Sequence, residues 1–141
     1  MEVGIIGTSI SEFSFKVNME EGKAISGKTT VQLRDPGDEF SNFPIPDGMG
    51  VLQGRTISHY SNSLFEADAV VTGNFFIDDK IAKKIKKLIE TESIDDDDYV
   101  EFSKTIMSPL FSKFQAMVGI VSGDSFNFSV IPDLPDRPAN D

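Results

Sequence analysis

The feature that most constrains the fold is an alternation of apolar and polar residues in the first third of the chain. Phe13, Phe15 and Val17 alternate with polar neighbours, and Val31 and Leu33 repeat the pattern further on. A period of two places the apolar side chains on one face of a β-strand. The pattern predicts strands at 2–7, 13–17, 30–33, 50–58, around 70–71, 116–121 and 126–130.

Turn-forming residues separate these strands in the sequence. Thr8 and Ser9 predict a turn after the first strand, and a Pro-Gly pair follows the strand at 30–33. Gly54 predicts a β-bulge, and Gly73 with Asn74 predicts the end of the strand before them. Short strands joined by Gly and Pro turns are typical of small barrels and sandwiches.

The period changes to that of a helix after residue 77. Ile81, Ile85, Leu88 and Ile89 form one apolar stripe, with Asp78 or Asp79 as the N-cap. A second helix is predicted to begin within 93–98, with its stripe at 102, 106 and 110. Pro109 is expected to bend or end it.

The predicted fold is therefore mainly β, a small closed or partly open β-barrel with an inserted helical pair, and α+β overall. Residues 1–131 form one domain, with the helices at about 78–115. Residues 132–141 form a tail whose prolines at 132, 135 and 138 favour an extended linker.

The amino-acid composition argues against several classes of function. The 141 residues include 23 Asp and Glu against 13 Lys and Arg, a formal net charge of −10, so the domain as a whole is poorly suited to neutralising nucleic-acid phosphates. The chain has no cysteine, which removes disulfides and thiolate metal sites, and no metal site is predicted. Without an apolar run long enough to span a bilayer, or a signal peptide, we expect no membrane contact and a cytoplasmic location.

One motif suggests nucleotide chemistry. Residues 22–29, GKAISGKT, match the phosphate-loop pattern G-x-x-x-x-G-K-[ST], which would make Gly27, Lys28 and Thr29 cofactor-binding residues. Such a loop needs a helix directly after the Thr, because the helix N-terminus helps to hold the phosphates. Residues 30–37 are instead β-patterned and end in a turn. We therefore favour a loop between strands, with nucleotide binding as the alternative.

Other candidate residues give weaker signals. The acidic run Asp95–Asp98 lacks the spacing of a calcium loop and is more typical of a solvated helix start. The lysines at 80–87 fit a solvated face, or a surface for an acidic partner. His59, the single histidine, has no partner in the sequence that would indicate catalysis. No catalytic residue is predicted.

Several stretches together resemble the HerA/ATP-synthase barrel, or HAS-barrel, family. They are 3–7 with 11–17 (VGIIG and SEFSFKV), 51–57 with 61–63 (VLQGRTI and SNS), and 117–121 with 131–138 (MVGIV and IPDLPDRP). Gln53 is inserted relative to the family pattern, and Ser63 replaces its Pro.

The resemblance implies that this chain is a non-catalytic collar domain that serves oligomerisation and partner docking. The whole protein would be a hexameric, ATP-driven DNA translocase that acts in DNA end processing or phage defence. ATP and Mg would bind an ATPase domain downstream of this chain, so the full-length protein would be an ATPase. Implied partners are further copies of the chain and a NurA-like nuclease or another effector, with DNA handled by the full-length ring. The remaining alternative is a stand-alone acidic inhibitor that mimics DNA.

Overall fold

Four antiparallel strands form a single open sheet, and two helices pack on one of its faces. The structure is a computed structural model, and it describes residues 1–19 and 21–126. The strands lie in the order β1-β4-β3-β2, so β1 and β2 form the two edges. The elements are β1 Gly4–Val17, β2 Ser26–Arg34, β3 Met49–Ser61, β4 Phe65–Asp78, α1 Asp79–Glu90 and α2 Asp97–Phe126.

The mainly β, α+β fold class predicted from the sequence is confirmed, with the sheet open rather than closed. Fewer and longer strands replace the predicted set, because strands continue where breaks were expected. Thr8 and Ser9 lie inside β1, paired with Gly73 and Thr72 of β4. Gly73 and Asn74 likewise lie within β4 and do not end it.

Alternation along the strands sorts the sheet into two faces. Odd-numbered side chains of β2 and β4 and even-numbered side chains of β3 face the helices. Because these residues are mostly apolar and the other face is mostly polar, the helices cover only one side, as is common in antiparallel sheets. The core includes Val31, Leu52, Tyr60, Phe65, Val71, Phe75, Ile77, Ile85, Phe102, Ile106, Leu110 and Phe114.

Helix α1 follows the prediction closely. Asp78 is its N-cap, and the carboxylate accepts hydrogen bonds from the backbone N–H groups of Lys80 and Ile81 at 3.0 and 3.4 Å. Ala82 and Ile85 are buried against the sheet. The period of 3.6 and the capping Asp were therefore sufficient to locate this helix.

Helix α2 is longer than predicted. It does not end at Pro109, one of the two outcomes expected there, and it includes 116–121, which the sequence predicted as a strand. Leu110, Phe114 and Val118 are all buried and recur every fourth residue, so packing on the sheet favours the helix over the local β-propensity. The sequence predicted that two strands follow the helices. The first of them, at 116–121, is wrong, because these residues belong to α2. The predicted strand at 126–130 lies outside the described residues except for Phe126, where α2 ends, and the tail lies wholly outside them.

Glycines let α2 approach the sheet closely. Gly54 does not form a bulge: it pairs in register with Leu33 and Gly73. A Cβ on Gly54 would lie 2.2 Å from Ile106 Cδ1, and one on Gly73 would lie 2.8 Å from Leu110 Cδ2. Both positions therefore need the smallest residue, because α2 side chains occupy that space.

We predict that Gly54→Ala lowers the free energy of unfolding by about 1–3 kcal/mol, since the new methyl overpacks the core. Ile106→Val removes the opposing Cδ1 atom, so the double variant should lose less stability than the two single variants added together. Gly119→Ala in α2 is the control, because a Cβ there meets no atom within 4 Å. It should stabilise the helix by about 0.5–1 kcal/mol. Denaturant titration measures all four, and strictly additive losses would contradict this contact.

Candidate functional site

The residues of the phosphate-loop match lie in a strand. Gly27, Lys28 and Thr29 belong to β2 and pair with Tyr60, His59 and Ser58 of β3. Thr29 faces the helices, where its hydroxyl lies 3.1 Å from that of Ser58. Strand β2 continues from Thr29 to Arg34, so no helix follows directly and these residues lack the helix N-terminus that a phosphate loop requires. The prediction that these residues form a loop between strands is therefore wrong for 26–29, which belong to β2.

The lysines of α1 are largely balanced by acids. Lys83 pairs with Asp79 at 2.9 Å, and Lys86 lies 3.7 Å from Asp35. Lys84 reaches Asp96 and Asp98 in the acidic run that precedes and begins α2. This arrangement fits a solvated face and a solvated helix start.

His59 has a partner that the sequence did not reveal. Its Nδ1 lies 2.7 Å from a carboxylate oxygen of Asp68 on the neighbouring strand β4. The side chain of Ser58 next to it points to the opposite face and contacts Thr29, so Ser58 does not form a catalytic triad with His59 and Asp68.

Two further kinds of site can be checked in the part of the chain that the structure describes. Within 1–19 and 21–126, no group of three or more His, Asp or Glu side chains is arranged to hold a metal ion. Within the same ranges, no helix combines the length and the apolar character needed to cross a bilayer.

The clearest candidate site is an apolar groove beside the edge strand β2, here called the β2 groove. Its cavity has a volume of about 450 Å³. Val31 and Leu33 form its floor, Ile89 of α1 and Tyr99 of α2 form its walls, and Ile94 between the helices closes one side. The lining residues are Val31, Gln32, Leu33, Ile89, Glu92, Ile94 and Tyr99.

The wall of the β2 groove has a defined backbone structure. The N–H of Ser93 donates to the carbonyl of Leu88 at 2.9 Å, and the N–H of Glu92 donates to that of Ile89 at 3.2 Å. These two bonds form a Schellman motif, in which the residue after the C-cap adopts a left-handed conformation. That residue is Glu92, with φ of 56°, where glycine is the usual choice.

An ion-pair cluster ties the two helices together next to this wall. Lys84 Nζ lies 2.9 Å from Asp98 and 3.4 Å from Asp96. Partial burial raises the pKa of the Asp96 carboxyl, but the N–H of Asp98 and the Lys84 ammonium outweigh it, so the pKa lies below its usual value. Hydrogen bonding to Asp98 raises the pKa of Lys84.

The β2 groove adjoins a strand edge that is free to pair. Among the described residues, β2 pairs with β3 on one side, and its other side carries no strand. Alternate N–H and C=O groups along such an edge point away from the sheet and can accept another extended chain. Here the free edge and the apolar groove meet at Val31 and Leu33.

Part of this site has a signal in the sequence. Val31 and Leu33 alternate with polar residues in a predicted strand and Ile89 lies on a predicted helical stripe, which are patterns of core residues rather than of a binding surface. Ile94 is a single apolar residue within a polar run at 91–98, which could have indicated a contact between helices. That these residues border a free edge depends on the strand order, for which the local pattern gives no signal.

We predict that Glu92→Gly raises the free energy of unfolding by about 1 kcal/mol, because glycine adopts the left-handed conformation without a steric penalty. Glu92→Ala, which removes the carboxylate and keeps the Cβ, is the matched control and should give little of this gain. Thermal unfolding measures both. Equal effects of the two substitutions would show that the backbone conformation at Glu92 is unstrained.

We also predict that the contribution of the Lys84 cluster depends on pH. A carboxyl with a lowered folded pKa stabilises the fold above its unfolded pKa, near 4, and that stabilisation is lost as pH falls through the lower folded value. Lys84→Gln should therefore reduce the melting temperature at pH 7 and have a diminishing effect as the pH approaches 3. A deficit that is constant between pH 7 and pH 3 would contradict this link.

Comparisons with known proteins support the fold only. No family model matches the chain, and no curated protein matches it. A protein of unknown function from Streptococcus agalactiae is similar in structure, with a TM-score of 0.61 and 15% identity over 95% of this chain and 98% of the other. The SecB-like chaperone Rv1957 of Mycobacterium tuberculosis, solved with a ChAD peptide from the antitoxin HigA1, has a TM-score of 0.55 and 10% identity, covering 96% of this chain and 92% of the other.

Proposed function

We propose that this protein is a docking module of the chaperone kind, which binds extended segments of partner proteins at the β2 groove. The observation that carries the proposal is the junction of an apolar groove with a free strand edge. An extended segment pairing with β2 would satisfy its backbone hydrogen bonds and place alternate side chains into the groove.

Physical properties of the groove support this class of partner. Its lining is mostly aliphatic with one aromatic ring, which suits varied apolar side chains rather than one small molecule. The free edge offers backbone hydrogen bonds, which are independent of the partner's sequence. The similar Rv1957 structure contains a bound peptide, which agrees with this proposal in kind.

The HerA-type interpretation stays a prediction, as do its hexamer, NurA-like nuclease, ATP and Mg. A collar that docks a nuclease would also need a protein-binding surface, so the two proposals share the docking step. The acidic-inhibitor and nucleotide-binding alternatives likewise stay predictions.

We predict that Ile94→Asp weakens binding of an unfolded polypeptide at least roughly tenfold, since desolvating even a neutral polar group without a hydrogen bond costs about 1–3 kcal/mol and a carboxylate costs more. The assay is fluorescence anisotropy with a labelled, carboxymethylated protein that cannot fold. Ile120→Asp is the matched control, because Ile120 is exposed and lies roughly 30 Å further along α2 from Tyr99.

Both variants should unfold cooperatively, which separates lost binding from lost folding. Equal affinities for the wild type and Ile94→Asp would place the docking surface elsewhere on the molecule. A wild-type protein that binds no unfolded polypeptide would reject the chaperone-like function itself.

A further inference from the structure

The edge strand β2 has a second cavity, on the face of the sheet opposite the β2 groove. This cavity, here called the basic cavity, has a volume of about 420 Å³. Its lining residues are Gln32, Leu33, Arg34, Gln53, Gly54, Arg55 and Thr72. Both cavities border the same stretch of β2, at residues 31–34, so a chain paired with this stretch would have one cavity on each side.

The two cavities differ in chemistry. On the helix side the floor of the β2 groove is Val31 and Leu33, and Glu92 and Tyr99 supply its polar side chains. Gln32 borders the groove, but its side chain contacts Arg55 on the other face. The basic cavity instead combines two guanidinium groups with amide and hydroxyl side chains. A segment lying along the edge directs successive side chains to opposite faces, and would therefore meet an apolar surface and a polar, cationic surface in alternation.

The charge of β2 and β3 is opposite to that of the molecule. The chain has a formal net charge of −10, yet neither strand contains an Asp or Glu. Lys28, Arg34, Arg55 and His59 belong to these strands, and the strand register places all four on the face away from the helices. Acidic residues of that face, such as Asp68 and Glu66, lie on β4, further from the β2 edge.

Arg55 is arranged to bind a carboxylate. Its Nε donates to Gln32 Oε1 at 2.7 Å, which orients the guanidinium plane and leaves the two terminal nitrogens available. Gln53 Nε2 donates to Asn74 Oδ1 at 2.9 Å, which holds the Gln53 side chain in place in the cavity lining. Arg34 is the second cation, and its exposed pair with Glu39 at 3.0 Å is of the weak, solvent-screened kind.

We propose that the preferred partner segment alternates apolar and acidic residues, with the apolar side chains in the β2 groove and the carboxylates over Arg34 and Arg55. This inference rests on the proposed function, because it names the class of segment that docks at the same edge. The inference concerns which segments bind more tightly, not whether segments bind at all, because any extended segment with apolar side chains can pair with β2 and contact the groove.

The test uses three labelled nine-residue peptides with Val at every second position. The positions between hold Glu in the first peptide, Gln in the second and Lys in the third. Binding is measured by anisotropy at 20 mM and at 500 mM NaCl. We expect the Glu peptide to bind roughly tenfold more tightly than the Lys peptide at low salt, with the difference falling to about twofold at high salt.

Reversing the charge of the two arginines tests whether the preference for the Glu peptide arises at the basic cavity. The double variant Arg34→Glu with Arg55→Glu should favour the Lys peptide. The matched control, Lys80→Glu with Lys104→Glu, makes the same change in net charge on exposed helical positions and should keep the wild-type order. Urea unfolding of both double variants confirms that the sheet is intact.

The outcomes distinguish a failure of the proposed acidic preference from a failure of the proposed docking function. If all three peptides bind the wild type equally, or if the control loses the preference as fully as the reversed variant, the acidic preference is wrong while docking stands. If no peptide binds and Ile94→Asp also leaves polypeptide binding unchanged, both proposals fail.

Discussion

The close packing of α2 against the central strands is the contact on which the rest of the structure depends. Gly54 and Gly73 leave the space that Ile106 and Leu110 occupy, so the helix lies directly on the sheet. This approach buries the apolar side of β3 and β4 along most of their length. The start of α2, with Tyr99, is thereby held against β2, and the β2 groove exists because of that placement.

The strand order then determines which strand of the sheet is free to pair with another chain. Because β2 lies at an edge, its helix-facing side chains Val31 and Leu33 are both core and groove floor. The opposite edge differs: β1 pairs with β4 through two register irregularities, between Ile5 and Gly7 and between Ile10 and Glu12. Such irregularities disturb a free edge and discourage the addition of another strand. β2 has an unbroken register with β3, so it is the more regular of the two edges.

The match to a phosphate loop illustrates how far local sequence can mislead. The residues Gly27, Lys28 and Thr29 fit the pattern, yet period-two alternation at 30–33 already indicated a strand after them. The structure resolves the conflict in favour of the strand, since Thr29 is buried with Ser58 under the helices. The opposite error occurred at 116–121, where an apolar stretch with three β-branched residues became part of α2, because Leu110, Phe114 and Val118 continue a helical stripe.

The sequence by itself determined the local elements with a strong period: the strands around 13–17, 30–33 and 50–58, the helix α1 with its Asp78 cap, and an acidic chain without cysteine. These depend on nearest neighbours along the chain, so local pattern suffices. Only the tertiary structure decided that the sheet stays open, that β2 is an edge, that Asp68 meets His59, and that Arg34 and Arg55 share the face opposite the apolar β2 groove. Each of these depends on contacts between distant residues, and strand order and register are set by packing of the whole sheet rather than by any single stretch.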